Sequence, residues 1–255
     1  MILVLSGEGP TDLGRCNTGS EQCQDKAFDI GPMAVITDKL IEEKIGYSLR
    51  SIPEAIHFVS KKALVAWSKA QRTPRMPSLR GLQTQVETRY FFFNARALGE
   101  IAKDIQDRNT DQPVIAILFR DTDGTCSAPS QLWRDKHKSI MDGFESVPFM
   151  RGIPMLPKPK SEAWLLCAIR EPSYQHCRQL EDISGNDKAP NPAKDQLQNT
   201  MQTEPSRETL IEWIESHGFR WEAVSEQMPS FQSFTIRLNE ILDQIIRPSR
   251  EGSAQ

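Results

Sequence analysis

What this chain lacks narrows its possible functions first. It has no excess of positive charge: 31 Lys and Arg stand against 34 Asp and Glu, a formal net charge of -3. That excludes a protein that coats nucleic acid through bulk electrostatics, which takes a strongly basic surface. No stretch reaches the roughly 18 to 20 apolar residues that cross a bilayer, and the apolar run Met1 to Leu5 is far too short for a secretory leader. A cytoplasmic protein that makes no use of a membrane is therefore expected. The five cysteines, Cys16, Cys23, Cys126, Cys167 and Cys177, are odd in number and include no CxxC pair. This argues against a disulfide framework and a zinc ribbon, and for reduced thiols; only Cys16 and Cys23 lie close enough to suggest a metal site, weakly. His57, His137, His176 and His217 form no HExxH or triad-like spacing. There is no internal repeat, heptad array or low-complexity tract.

What is present is ordinary globular material, 255 residues that are 38% hydrophobic, enough for a sizeable core. Met1 to Leu5 is a continuous apolar run closed by Ser6-Gly7-Glu8-Gly9-Pro10, the pattern of a buried parallel strand and a tight turn. A polar insert, Arg15 to Lys26, precedes a helical spacing over Ala34 to Ile45. Residues 46–85 resist assignment: Ile52 to Lys62 is mixed, Ala63 to Ala70 looks helical, and Arg72 to Arg80 is a basic, proline-bearing loop. Arg72, Arg75 and Arg80, with Lys61, Lys62 and Lys69 upstream, form a basic stretch that reads as a solvated loop before a phosphate contact. Tyr90, Phe93, Ala97, Ile101 and Ile105 fall on one face of a helix over Val86 to Asp107; the aromatic residues Tyr90 to Phe93, with Trp164, read as core before they read as a platform for stacking bases.

Pro113 to Phe119 is a second buried strand, ending in Arg120-Asp121-Thr122-Asp123-Gly124, with a helix expected from about Pro129 to Gly143. A third, Gly152 to Leu156, ends in Pro157-Lys158-Pro159-Lys160, after which Ser161 is expected to cap a helix carrying Glu162 in its first turn. Residues 171–203 read as a surface excursion with little regular structure, Arg207 to Ser216 and Ser233 to Ile246 as amphipathic helices, and 247–255 as a frayed tail. The order predicts an α/β fold with a mostly parallel sheet flanked by helices: a core over residues 1–170 with an insert at about 46–85, and a helical segment over 204–246 packed on it.

In such sheets the ligand lies at the carboxyl ends of the strands. Glu8 with Asp12, Asp121 with Asp123, and Lys158 with Lys160 and Glu162 all belong there. Hard Mg²⁺ or Mn²⁺ prefers carboxylate oxygens, and four carboxylates crowded together repel one another unless a cation holds them.

Val4-Leu5-Ser6-Gly7-Glu8-Gly9-Pro10-Thr11-Asp12, Leu118 to Gly124 and Lys160-Ser161-Glu162-Ala163-Trp164-Leu165-Leu166 together resemble the Toprim domain. More narrowly they resemble the small Toprim-like proteins of bacterial anti-phage loci, relatives of the nuclease half of the overcoming-lysogenization-defect enzymes. Pro229-Ser230-Phe231-Gln232-Ser233-Phe234 resembles the family's tail more weakly. The resemblance implies a Rossmann-like fold and a Mg²⁺ (or Mn²⁺) site of Glu8, Asp12, Asp121, Asp123 and Glu162. It also implies an assisting lysine at Lys158 or Lys160, a nucleic acid substrate and an ATPase partner, with a homo-oligomer open. The insert after Asp12 and the stretch before Val86 depart from the family pattern.

Two rival readings remain. Ile117 to Thr125 also resembles the first motif of haloacid-dehalogenase-type phosphatases, with Asp121 as nucleophile and Asp123 as general acid. That reading leaves Glu8 without a role, and no apolar strand precedes Glu181-Asp182. The other rival is a non-catalytic Toprim-like regulatory subunit.

Overall fold

The computed structural model describes residues 1–70, 86–122 and 130–247. Asp123, Cys126, the basic stretch Arg72 to Arg80 and nearly all of the expected tail lie outside the described residues.

The elements run in the order β1 (Ile2–Ser6), β2 (Gly14–Cys16), β3 (Gln22–Gln24), β4 (Phe28–Ile30), α1 (Pro32–Ile45), β5 (Ile56–Val59), α2 (Lys61–Ala70), α3 (Val86–Arg108), β6 (Val114–Phe119), α4 (Ser130–Glu145), β7 (Gly152–Met155), α5 (Ser161–Ile169), α6 (Ala193–Met201), α7 (Arg207–His217), α8 (Trp221–Gln227) and α9 (Pro229–Ile246). The main sheet has the order β3-β5-β1-β6-β7, and β2 and β4 pair separately as an antiparallel ribbon. β5, β1, β6 and β7 are parallel, in the register Leu3 with Ile56, Ile2 with Val114 and Ala116 with Gly152; β3 joins the β5 edge antiparallel. The fold is therefore α/β with a mostly parallel sheet flanked by helices and followed by C-terminal helices.

Every residue of β1, β6 and β7 is buried, as strands covered on both faces must be, which is why their sequences are apolar apart from Ser6 at the end of β1. Alternation sorts their side chains into two cores. Leu3, Leu5, Ile115, Ile117, Ile153 and Met155 meet α1, α5 and α6 to α9 on one face, while Ile2, Val4, Val114, Ala116 and Leu118 meet α2, α3 and α4 on the other. Helix α5 carries buried residues all round, the mark of an interior helix. No helix among the described residues is long and apolar enough to cross a membrane.

The path of the chain matters for function. It leaves β1 through α1 to β5 on one side, returns through α2 and α3 past β1 to β6 on the other, and continues to β7. The direction of winding thus reverses between β1 and β6. At such a point the loops leaving the two strands diverge to opposite faces and open a crevice.

Four expectations need correction. Residues 46–85 contain a sheet strand, β5, followed at once by α2. Residues 171–203 are not featureless, for a 3-10 segment at Cys177–Asp182 and α6 bury Cys177, Leu180, Ala193 and Leu197; isolated apolar residues among polar ones give no period to read. Helix α8 falls between the two C-terminal helices expected. The four cysteines among the described residues are paired, not reduced: Cys16 joins Cys23 and Cys167 joins Cys177, with Cα separations of 5.7 and 5.2 Å. Disulfide formation follows closeness in space, which spacing along the chain does not encode.

Candidate acidic site at the strand ends

Glu8 lies in the loop leaving β1 and Asp121 lies just beyond β6, so the winding reversal sets both at one crevice. The ends of the two strands are tied together by Arg120, whose side chain is fully buried. Its guanidinium donates to the carbonyls of Phe119 (2.6 Å) and Ser6 (3.4 Å) and to Asn94 Oδ1 on α3 (3.1 Å). Its Nε stands 3.8 Å from Glu8 Oε1. Burial lowers its pKa, yet an arginine stays charged, and so it fixes a positive group under Glu8. Lys61, the first residue of α2, reaches the same Glu8 oxygen from above at 3.2 Å.

Asp12 is positioned by its own backbone. Its carbonyl accepts from Met33 N–H at 3.0 Å and the neighbouring Leu13 carbonyl from Gly31 N–H at 2.8 Å, so the loop folds back onto the start of α1. Gly31 permits this approach: a Cβ there would stand 2.2 Å from the Asp12 carbonyl oxygen. The carboxylate does not cap α1. It points across the sheet to α5, where Asp12 Oδ1 accepts from Ser161 Oγ at 2.5 Å.

Ser161 is the hub. The expectation that it caps α5 is corrected: Lys160 holds the cap position, without a side-chain bond, and Ser161 is the first helical residue. Its N–H, one of the amides a helix leaves unpaired at its start, donates to Asp121 Oδ1 at 3.2 Å, while its hydroxyl serves Asp12. Two loops far apart in sequence thus close on one serine. The loop beyond β6 is also stitched to the one beyond β7. Thr122 N–H donates to Pro159 O at 2.9 Å, Thr122 Oγ1 donates to Pro157 O, and Lys136 Nζ to Thr122 O at 2.8 Å.

The electrostatics show crowding. The Asp12 carboxyl is pushed up to about 6 by burial, then by the like charges of Glu162 and Glu8, against the Ser161 hydrogen bond and Lys160, which lower it. Burial likewise raises Glu162, one of whose carboxylate oxygens is buried without a hydrogen-bond partner among the described residues. An orphaned carboxylate oxygen beside a second strained carboxylate is what a cation would relieve.

Of the residues singled out from sequence, Glu8, Asp12, Asp121 and Glu162 are brought to this end of the sheet. Asp123 lies outside the described residues. Lys160 bears on both Asp12 and Glu162 and pairs with Asp187 at 2.8 Å. Lys158 points elsewhere, to Asp182 at 3.3 Å and toward Glu181. Among the described residues no three His, Cys, Asp or Glu side chains are already drawn into a metal-holding group. Arg120 and Ser161 do not stand out as site residues in the sequence, and Lys61 shows there only as one member of a basic stretch. Its place against Glu8 follows a strand too short to recognise, and the signal that Ser161 carries is that of a helix cap.

A cavity of about 580 Å³ opens beside Glu8, lined by Gly7, Gly9, Pro10, Arg15 and Lys61 among others. A larger one, about 670 Å³, sits at the amino end of β5 around Phe28, Leu49 and Ile56, away from the carboxylates. Comparison of this chain with protein-family models, with curated proteins and with solved structures returns no match.

The Asp12 shift gives a pH prediction. Its folded pKa is above the ordinary value of 3.8, so the folded state holds this proton more tightly than the unfolded one. The associated stability is full below pH 4 and is lost as pH rises through 6. In EDTA, Asp12→Asn is expected to raise Tm at pH 7.5 by about 3 °C and to leave it unchanged at pH 4. Equal shifts at the two pH values, measured by calorimetry, would remove the charge explanation.

Proposed function

We propose that this crevice is a Toprim-like acidic site that binds Mg²⁺ or Mn²⁺ and hydrolyses phosphodiester bonds in nucleic acid. The observation that carries the reading is the convergence of Asp12 and Asp121 on Ser161 at the winding reversal, with Glu8 and Glu162 close enough to raise the Asp12 pKa. The donor set suits a hard cation: all four groups are carboxylates, and one oxygen of Glu162 lacks a partner among the described residues. Glu8, Asp12, Asp121 and Glu162 would hold the ion, with Asp123 as the further ligand implied by the resemblance. A bound divalent ion supplies charge neutralisation for a phosphate and a lowered pKa for a coordinated water.

The chain's own groups do the rest. Lys61 neutralises Glu8 in the resting protein and is placed to move to a substrate phosphate once Glu8 is otherwise engaged. Lys160 is the lysine suited to the charge that develops on phosphorus, because it faces the carboxylates while Lys158 does not. Arg120 sets a permanent positive charge 3.8 Å from Glu8. Thr122 and Ser161 hold the loops in register, so that the carboxylates are set before substrate arrives.

Two measurements on the purified chain test this. Mn²⁺ uptake, followed by electron paramagnetic resonance, is expected at one or more sites and is displaced by Mg²⁺. Plasmid DNA, a single-stranded DNA circle and a structured RNA are then incubated with Mg²⁺ or EDTA, and cleavage is expected only with metal. Absence of Mn²⁺ uptake sinks the proposal. Turnover of a small phosphomonoester, with Asp121 trapped by a phosphate mimic, would favour the phosphatase chemistry instead.

A further inference from the structure

The cavity beside Glu8 continues past Lys61. Val65, one turn along α2, lines it and also lines a second cavity of about 430 Å³ between α2 and α3, walled by Ser68, Lys69, Arg89, Tyr90 and Phe93. Lys61, Val65, Ser68 and Lys69 recur at i, i+4, i+7 and i+8, so a single face of α2 runs along both cavities. Arg89, Tyr90 and Phe93, at i, i+1 and i+4 of α3, form the opposite wall. The walls are fixed to each other: Ser68 Oγ donates to Phe93 O at 3.3 Å, and Trp67 Nε1 to Glu100 Oε2 at 2.7 Å. Tyr90 joins the cleft to the acidic site, because the Lys61 ammonium lies 5.1 Å from its ring centroid.

The charges along this cleft differ from those at the site. Lys61 and Lys62 are held by Glu8 and Glu21, at 3.2 and 2.6 Å. Lys69 and Arg89 are exposed, and neither forms an ion pair among the described residues. Arg89 lies instead over the Phe93 ring, 5.6 Å from its centroid. Cations that have no acidic partner among the described residues, set beside half-buried aromatic rings, offer sites for phosphates and for bases together. A base-paired duplex hides its base faces in the stack and cannot present them to Tyr90 and Phe93. A single strand can. From Lys61 to Lys69 the helix rises about 12 Å, eight residues at roughly 1.5 Å each, a short run of nucleotides.

We infer that the cleft between α2 and α3 is the path by which a single-stranded nucleic acid reaches the acidic site, its phosphates on Lys69 and Arg89 and its bases against Tyr90 and Phe93. The destination of the strand rests on the nuclease reading, while the chemistry of the cleft stands apart from it.

Fluorescence anisotropy in EDTA tests binding without cleavage, using the full chain, labelled oligothymidylate and oligouridylate, and a hairpin duplex of equal length. At least one single strand is expected to bind about 10-fold more tightly than the duplex. The double variant Lys69→Ala/Arg89→Ala should weaken single-strand binding about 10-fold and reduce the salt slope by roughly 1.4, about 0.7 for each phosphate that is no longer neutralised. Phe93→Leu, which keeps the apolar volume, should weaken binding about fivefold at unchanged slope. Equal affinity for strand and duplex, or a double variant that folds and binds like the parent, overturns the inference. The two readings separate cleanly. Strand binding with these dependences in a protein that takes up no Mn²⁺ keeps the cleft and removes the nuclease. Metal-dependent cleavage at the parental rate by the double variant removes the cleft and keeps the site.

Discussion

Asp121→Asn is expected to lower metal-dependent cleavage by at least 10³-fold, about 4 kcal/mol of barrier, while shifting Tm by no more than about 2 °C. The two effects separate because Asp121 has two jobs. Its Oδ1 accepts the Ser161 N–H at the start of α5, and an amide oxygen can accept the same bond. Its charge is the part that asparagine removes, and a hard cation binds a neutral amide less strongly than a carboxylate. Asp121→Ala removes both, so that it should add about 1 kcal/mol of destabilisation through loss of the helix-terminal acceptor. Rates are read from nicking time courses under saturating Mg²⁺ and metal uptake from Mn²⁺ resonance. An Asp121→Asn protein that cuts at the parental rate ends the metal-site reading.

How far this arrangement could be read from residues alone depends on how each part signals itself. β1, β6 and β7 announce themselves because burial on both faces makes them apolar nearly throughout, Ser6 at the end of β1 being polar. Their polar terminations mark one end of the sheet as the place for chemistry. β5 does not, because its four residues include His57, which bonds to Gln24 of the edge strand β3, and a polar residue in so short a run erases the pattern. With β5 hidden, Lys61 shows only as part of a basic stretch, since it owes its place against Glu8 to that strand. The serine at 161 is visible, but a hydroxyl at a helix start usually bonds its own helix; here it bonds Asp12, 149 residues away in sequence. The disulfides are hidden for the same reason, that pairing is a property of the folded chain. A lysine's choice of partner is equally tertiary. Lys158 and Lys160 are two residues apart and indistinguishable in sequence, yet one faces Asp182 and the other the carboxylates.

Trp164→Ala is expected to cost about 3–5 kcal/mol, lowering Tm by roughly 10 °C. Trp164 is fully buried on α5, three residues past Ser161. Its ring packs edge-on against Phe231, with centroids 4.9 Å apart, and stacks with Phe234 at 6.3 Å. Its indole N–H donates to Ser230 Oγ at 2.8 Å, and Ser230 N–H in turn donates to the buried Glu181 at 2.7 Å. The start of α9 is thereby docked onto α5 through one side chain. Truncation opens a void that the surrounding rings cannot fill and strips Ser230 Oγ of its donor, against a total stability of typically 5–15 kcal/mol. Trp164→Phe keeps most of the packing and loses the hydrogen bond, for an expected cost of about 1–2 kcal/mol. The consequence reaches the site, because α5 cannot shift on its bed without moving Ser161, on which Asp12 and Asp121 both depend. Trp164→Ala should therefore bind Mn²⁺ more weakly even at temperatures where circular dichroism shows it folded. Were it to lose stability yet keep full metal affinity, the C-terminal helices would be support for the core alone, and the carboxylates would be held by their loops without help from behind.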